Sequence, residues 1–344
     1  MENARLKVLV ESHVPFIRGV IEPYADVVYA DPADITPAAL EGVDAMIVRT
    51  RTRCDQALLG ESNVQLVLTA TIGTDHIDKD WCASAGIGVY NAPGCNAPAV
   101  AQYVLSSIVS LMNRPVEQHT LGIVGVGHVG SIVERWARAL DMKVLLCDPP
   151  RARREGSAAF VSLGEIARRC DIITFHTPLS STGEDPTYHL AGREFFDSLR
   201  HSPIIINSAR GPVVDTLALI AALDSGKVRR AVIDCWEGEP RISADLLSRA
   251  AIATPHIAGY SLQGKVRATQ MCLDCLSAHF HLPAMKAAAP AGCPSLLIAD
   301  TVKVRATGYD PIHDTRILKQ SPDTFEAQRD HYNLRHEPGQ SKID

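Results

Sequence analysis

Three polar groups in this sequence follow three successive apolar runs. Arg210 follows residues 203–207 through Ser208 and Ala209, the segment Trp236-Glu237-Gly238-Glu239-Pro240 follows 231–235, and His256 follows 251–254 through Pro255. A cation, a carboxylate and an imidazole together suit removal of hydride from a secondary alcohol. A guanidinium fork binds a substrate carboxylate and polarises the adjacent oxygen. An imidazole takes the hydroxyl proton as the hydride leaves. A neighbouring carboxylate, Glu237 or Glu239, orients that ring and favours its protonated form. Taken singly, Arg210 reads as a turn residue, either glutamate as a solvated loop acid and His256 as a loop histidine. Placed at the carboxyl ends of consecutive strands, where open α/β sheets bind ligands, they read as one reaction site.

A second constellation lies upstream. Gly125-Val126-Gly127-His128-Val129-Gly130 follows the apolar run 121–125 and opens a segment in which Ile132, Val133, Trp136, Ala137 and Leu140 share one helical face. Asp148 ends the next strand-like run. A G-x-G-x-x-G alone is an ordinary turn signal, but this strand–loop–helix context with a following acid is that of dinucleotide binding. The glycines let the backbone approach a pyrophosphate at a helix N-terminus. The Asp148 carboxylate accepts from a ribose diol and repels a 2′-phosphate, which favours NAD over NADP. Arg151, Arg153 and Arg154 lie just beyond it and read as solvated arginines after a Pro-Pro turn.

The elements that position these groups can be read from periodicity. Short apolar runs at 7–10, 26–29, 45–48, 66–69 and 88–90 alternate with helical stretches such as 14–21 and 77–85, which predicts parallel strands with crossover helices. Residues 99–112 read as a long apolar helix linking two domains. Six further strands are expected at 121–125, 143–147, 171–175, 203–207, 231–235 and 251–254, which is the doubly wound plan. Ser162 with Glu165 has capping-box spacing, and Asp215 and Gly226 bracket another helix. A last long helix is expected over 261–281, and the polar tail from Thr301 reads as an appendage or a partly disordered segment. The expected organisation is a flavodoxin-like α/β substrate domain (1–93), a Rossmann domain (94–260), a return helix on the substrate domain (261–290) and a short C-terminal segment (291–344).

Composition fits a globular enzyme. Of the 344 residues 46% are hydrophobic and 21% charged, and the formal net charge of -5 offers no basic stripe for nucleic acid. No signal-like leader or membrane-spanning run is found, so a cytoplasmic protein is expected. The nine cysteines are scattered, which reads as reduced thiols. Cys272 and Cys275 form a lone Cys-x-x-Cys without the further ligands a zinc site needs, so no metal is expected.

Ser208-Ala209-Arg210-Gly211-Pro212-Val213-Val214-Asp215 and Trp236-Glu237-Gly238-Glu239-Pro240 resemble signatures of the D-isomer-specific 2-hydroxyacid dehydrogenase family, over most of the chain to about residue 282. The resemblance implies that Arg210, Glu239 and His256 are catalytic, with Glu239 rather than Glu237 as the acid. It also implies cofactor contacts from Thr177, Ser208, Ala209, Asp234 and Gly259. Thr69-Ala70-Thr71 with Gly73-Thr74-Asp75-His76, Pro93-Gly94-Cys95-Asn96 and Pro255-His256-Ile257-Ala258-Gly259-Tyr260 are similar to those members that oxidise 4-phospho-D-erythronate to its 2-oxo acid in pyridoxal 5′-phosphate (vitamin B6) biosynthesis. That implies a phosphorylated 2-hydroxy acid substrate, NAD as cofactor, a cytoplasmic homodimer, and substrate contacts from Thr50, Thr71 and Tyr260. Arg49 is added here as a partner for the phosphate. The stretch from Gly308-Tyr309-Asp310-Pro311 to Arg335 resembles a shortened piece of the family's C-terminal dimerisation region. A related dehydrogenase of the phosphoglycerate or glyoxylate type is the alternative within the family, and an NAD-sensing scaffold the alternative outside catalysis.

Overall fold

A computed structural model of the protein describes residues 5–112, 115–290 and 309–338. The chain divides into two compact units, one from residues 1–96 and 261–295, the other from 97–260 and 296–344.

The first unit is a parallel sheet with helices on its faces. Its strands are β1 (Lys7–Glu11), β2 (Asp26–Ala30), β3 (Ala45–Val48), β4 (Leu66–Thr69) and β5 (Gly88–Tyr90), in the flavodoxin-like order β2-β1-β3-β4-β5. Two short helices, α1 (Gln56–Leu59) and α2 (Lys79–Ser84), start at the capping carboxylates of Asp55 and Asp78. The central strands are apolar on both sides, as a sheet covered on both faces requires. Val8, Val10, Ile47 and Leu68 face one core, while Leu9, Met46, Val48 and Val67 face the other.

Residues 14–21 do not form the expected helix. Pro15 follows Val14 directly, and Phe16 (φ 60°) and Gly19 (φ 78°) adopt the left-handed region, so the segment is a run of turns that still buries Val14, Ile17 and Ile21.

The second unit opens with α3 (Ala97–Leu111), nearly all of it buried. Its strands are β6 (Thr120–Val124), β7 (Lys143–Cys147), β8 (Ile172–Phe175), β9 (Ile204–Asn207), β10 (Arg230–Ile233) and β11 (Ile252–Ala253). All pair in parallel, in the order β11-β10-β9-β8-β6-β7, and the winding reverses between β6 and β8. The helices are α4 (His128–Ala139), α5 (Pro149–Glu155), α6 (Leu163–Arg169), α7 (Arg193–Asp197), α8 (Thr216–Asp224) and α9 (Ala244–Arg249). Ser162 and Glu165 form the expected capping box on α6, and Asp215 caps α8.

The long helix α10 (Leu262–Phe280) runs between the cap Ser261 and the left-handed His281, and belongs to the first unit. The C-terminal segment corrects the reading of a loose tail. Residues 309–338 fold onto the second unit as α11 (Pro311–Gln320) and α12 (Phe325–Asp330), burying Leu318 and Phe325 in its core. Helix α11 lies along the edge strand β11, where the Thr315 hydroxyl accepts the Ala253 N–H at 3.0 Å. The remainder of the expected 291–344 segment lies outside the described residues. Among the described residues no helix is long and apolar enough to cross a membrane.

Candidate active site

Strand β9 ends at Asn207, whose buried amide organises the turn beyond it. Its Nδ2 donates to the Arg210 carbonyl at 2.9 Å and more weakly to the Gly211 and Cys235 carbonyls, and its Oδ1 accepts the Ala209 N–H. The backbone of Arg210 is thereby fixed, and its side chain donates through Nη1 to the Ala209 carbonyl at 2.8 Å. Gly211 has no room for a side chain, since a Cβ there would lie 2.0 Å from the Trp236 carbonyl oxygen. The Arg210 turn and the Trp236–Pro240 loop therefore lie against each other in close backbone contact at Gly211.

Glu239 and His256 meet directly, with His256 Nδ1 2.8 Å from Glu239 Oε2. The other carboxylate oxygen accepts the Trp236 N–H at 2.7 Å, and the Trp236 indole donates to the Thr254 carbonyl at 2.9 Å. Burial works against a charged imidazole at His256, but the Cys235 sulfur and the Glu239 carboxylate beside it outweigh burial and hold its pKa well above the usual imidazole value. Burial pushes the Glu239 carboxyl up, but the His256 charge and hydrogen bond and the Trp236 N–H leave it below the usual carboxylate range. Burial raises the Cys235 thiol. Cys235, Glu239 and His256 bring one ligand atom each within 4.8 Å of one another, but two of the three are already bonded to each other.

Glu237 and Glu239 have different partners. Glu237 turns to His189, Oε1 to Nε2 at 2.7 Å, and its Oε2 accepts the Thr216 N–H at 2.8 Å. It ties the loop after β8 to the start of α8, whereas Glu239 meets the His256 imidazole.

The glycine loop lies at the winding reversal. Gly125 has φ +87°, and a Cβ on it would lie 2.8 Å from the backbone of His176 and Thr177. At Gly130 a Cβ would lie 2.1 Å from the Gly125 carbonyl oxygen, so helix and strand pack as closely as glycine allows. Nothing lies within 4 Å of a Cβ on Gly127, which is the cap residue of α4 and offers no side-chain cap. The first-turn N–H groups, with His128 and Val129 leading the helix, thus have no side-chain cap and could bind a pyrophosphate. Asp148 Oδ2 accepts the Val126 N–H at 2.8 Å and Oδ1 caps α5 through the Arg151 N–H at 2.9 Å. Each oxygen keeps a second lone pair for a ribose hydroxyl. Arg151 is paired with Glu155 and Arg153 with Asp185 and Glu184, so neither is idle for a 2′-phosphate. The Thr177 and Ser208 hydroxyls are buried without a hydrogen-bond partner among the described residues, as expected of groups awaiting a ligand.

Asp234 is engaged within the protein. It is 1% exposed, and its oxygens accept from the Thr254 hydroxyl at 2.7 Å, the Ile257 N–H at 2.8 Å and the Ala258 N–H at 3.0 Å. Its visible work is to hold the turn after β11 that carries His256, Gly259 and Tyr260.

In the first unit, Arg49 follows β3. Its N–H donates to the buried Glu11 carboxylate at 2.8 Å and its Nη1 to the His13 carbonyl at 3.2 Å, while its Nε has no partner among the described residues. Thr50 is exposed beside it, and the Thr71 hydroxyl sits 2.7 Å from that of Thr69.

Sequence reasoning missed Asn207, Trp236 and Cys235 as parts of the site. Asn207 and Cys235 end apolar runs, and Trp236 is itself apolar in type, which concealed their polar duties.

Residues 101–258 match the family model of the D-isomer specific 2-hydroxyacid dehydrogenase NAD binding domain. The chain is 46% identical over 338 residues to an erythronate-4-phosphate dehydrogenase of Bacteroides thetaiotaomicron, covering 96% of this chain and 97% of that one. It is 44% identical over 343 residues to one from Porphyromonas gingivalis, covering 95% and 92%. Among solved structures, a D-lactate dehydrogenase of Aquifex aeolicus complexed with NAD and lactic acid superposes with a TM-score of 0.69 at 25% identity, covering 80% of this chain and 95% of that one. The second unit is an NAD-binding domain, and the chain belongs to the D-isomer specific 2-hydroxyacid dehydrogenases as a member of their erythronate-4-phosphate dehydrogenase family.

Proposed function

We propose that the protein oxidises 4-phospho-D-erythronate to (R)-3-hydroxy-2-oxo-4-phosphooxybutanoate, an NAD-dependent step of pyridoxal 5′-phosphate biosynthesis. The observation that carries the reading is the His256–Glu239 pair at 2.8 Å, with the Arg210 turn packed on the same loop. Arg210 binds the substrate carboxylate through its planar fork and draws electron density from the C2 oxygen. His256, with Nδ1 turned to Glu239, takes the C2 hydroxyl proton at Nε2. Glu239 stabilises the imidazolium that results and fixes the ring's tautomer and angle. NAD, when bound, would supply the hydride acceptor for C2. The Thr177 and Ser208 hydroxyls, the α4 N-terminus and Asp148 hold that cofactor, with Ala209, Asp234 and Gly259 lining its approach. Arg49 binds the 4-phosphate, with Thr50, Thr71 and Tyr260 as hydroxyl contacts.

The eight described cysteines are free thiols, seven of them buried, which suits a reducing compartment and supports a cytoplasmic site of action. The resemblance of the segment around 308–335 to a dimerisation region supports a homodimer, which sedimentation would test. The decisive experiment for the reaction is NADH formation from 4-phospho-D-erythronate, with 3-phosphoglycerate and unphosphorylated erythronate as comparisons. Turnover greatest on the phosphorylated four-carbon acid is expected. A preference for 3-phosphoglycerate, or no turnover with any of the three, overturns it.

A further inference from the structure

The turn carrying His256 is held from two sides. His256 itself is left-handed, with φ 55°, a conformation that disfavours any residue with a Cβ and needs support from its surroundings. On one side, buried Asp234 accepts the N–H groups of Ile257 and Ala258. On the other side lies Arg335, beyond α12 and far away in sequence. Its Nη1 donates to the Ile257 carbonyl at 3.0 Å and the Tyr260 carbonyl at 3.1 Å. Its Nη2 donates to the Ala99 carbonyl at 3.0 Å and to the Ala258 carbonyl, and its Nε to Gln102 Oε1 at 3.1 Å.

A guanidinium has five N–H donors, and five acceptors lie within 3.1 Å of it, with the Tyr332 hydroxyl a weaker sixth at 3.5 Å from Nη1. Three of them belong to the four residues directly after His256. The plane of the cation lies 4.3 Å from the Tyr309 ring centroid, and Gln102 returns a hydrogen bond to the His336 carbonyl at 3.1 Å, which anchors the segment on both sides of Arg335. The turn thus has its N–H groups on an anion and its carbonyls on a cation.

We propose that Arg335 is a positioning residue for catalysis, its guanidinium binding the carbonyls of Ile257, Ala258 and Tyr260 so that the His256 imidazole stays on Glu239. The inference rests on the reading of His256 as proton acceptor. It gives the C-terminal segment a duty in the reaction without any contact with substrate. A lysine cannot replace the arginine, because a single ammonium has three donors on one atom and cannot reach a row of carbonyls in one plane.

The test compares the parent, Arg335→Ala and Arg335→Lys as NADH-bound enzymes. The first readout is the titration of His256, followed by NMR of histidine-labelled protein and assigned with His256→Ala. The groups facing the imidazole are Glu239, the Cys235 thiol and Asp234, with Arg329 of α12 facing Glu239, and none of these is altered. Both variants should titrate at least about one pH unit lower than the parent, toward the ordinary value, as the bond to Glu239 loosens. The second readout is kinetic. A fall in kcat of roughly 10- to 100-fold at saturating cofactor is expected. Millimolar guanidinium should restore part of the rate to the alanine variant and none to the lysine variant. If the alanine variant does not fold, the lysine variant decides alone. A parent-like His256 titration with parent-like kcat in a folded variant overturns the proposal. Absence of turnover in the parent would overturn the assigned reaction instead, and the substrate-free titration would still decide on Arg335.

Discussion

Glu239→Gln removes a charge while keeping the shape of the side chain, and its effect can be worked out from the contacts. In the parent, Oε2 faces His256 Nδ1 at 2.8 Å and Oε1 accepts the Trp236 N–H at 2.7 Å. With about 4 Å between charge centres and an effective dielectric near 20, the attraction is about 4 kcal/mol, or about 3 pKa units. Both side chains are partly open, 21% for Glu239 and 31% for His256, so solvent screening reduces the expected shift to about 1–2 units. The sign follows from the raised pKa of His256. Oxidation needs the neutral imidazole, so its rate climbs as pH rises through that pKa, and the variant's rising limb moves to lower pH. Reduction of the 2-oxo acid needs the imidazolium, so it fades at lower pH than in the parent.

A second loss accompanies the first. A glutamine has one carbonyl oxygen and cannot accept from both Trp236 N–H and His256 Nδ1–H. If its amide nitrogen faces the imidazole, the proton moves to Nε2, the atom that must accept from substrate. A drop in kcat of about 10²–10⁴ is therefore expected at every pH. The assay is the pH profile of kcat/KM in both directions. A profile that stays at the parent's position in Glu239→Gln, but moves in Glu237→Gln, refutes the assignment.

Three further outcomes are expected. Asp148→Ser should raise the ratio of kcat/KM with NADP to that with NAD by about tenfold, as loss of a repelled charge worth roughly 1.4 kcal/mol implies, and an unchanged ratio removes Asp148 from the ribose. Arg49→Ala should raise KM for the phosphorylated acid by at least about tenfold while leaving an unphosphorylated analogue nearly unaffected, and equal losses on both would place the phosphate elsewhere. Gly211→Ala, which puts a methyl 2.0 Å from the Trp236 carbonyl oxygen, should cost about 1–3 kcal/mol and lower Tm by several degrees along with kcat. A parent-like melting curve and rate would mean that the two loops are free to part.

Much of this was legible in the sequence. The runs at 45–48, 66–69, 88–90 and 143–147 are the strands observed, because each is a short apolar-rich stretch bounded by turn or polar residues; 45–48 and 66–69 are buried on both faces, while Tyr90 and Lys143 are exposed. The glycine loop and the order of Arg210, Glu239 and His256 could be read because strand ends carry function in this architecture. The misreadings have local causes. Residues 14–21 are apolar at helical spacing, yet two left-handed residues break the backbone. The tail looked too polar to fold because its core contacts rest on a few residues, Tyr309, Ile312, Leu318 and Phe325, among many charges. Nothing in the one-dimensional pattern marks Arg335, since its acceptors are mostly backbone carbonyls up to 236 positions away. For Asp234 the resemblance implies a cofactor contact, and its hold on the turn shows only in its internal hydrogen bonds.

The division of the first unit between the two ends of its chain bears on how the protein is made. One face of its sheet, built from Val8, Val10, Ile47, Leu66 and Leu68, is covered in part by Ala268, Cys272, Leu273 and Leu276 of α10. On the ribosome the five strands emerge first, yet the helix that completes their core follows only after the NAD-binding sheet has been synthesised. For that interval the nascent strands carry an unfinished apolar face, so the second unit has to fold while the first is still waiting for its last piece. Excision of residues 1–96 as an independent module would reproduce that unfinished state permanently, and a circular permutant that begins at α10 would remove it.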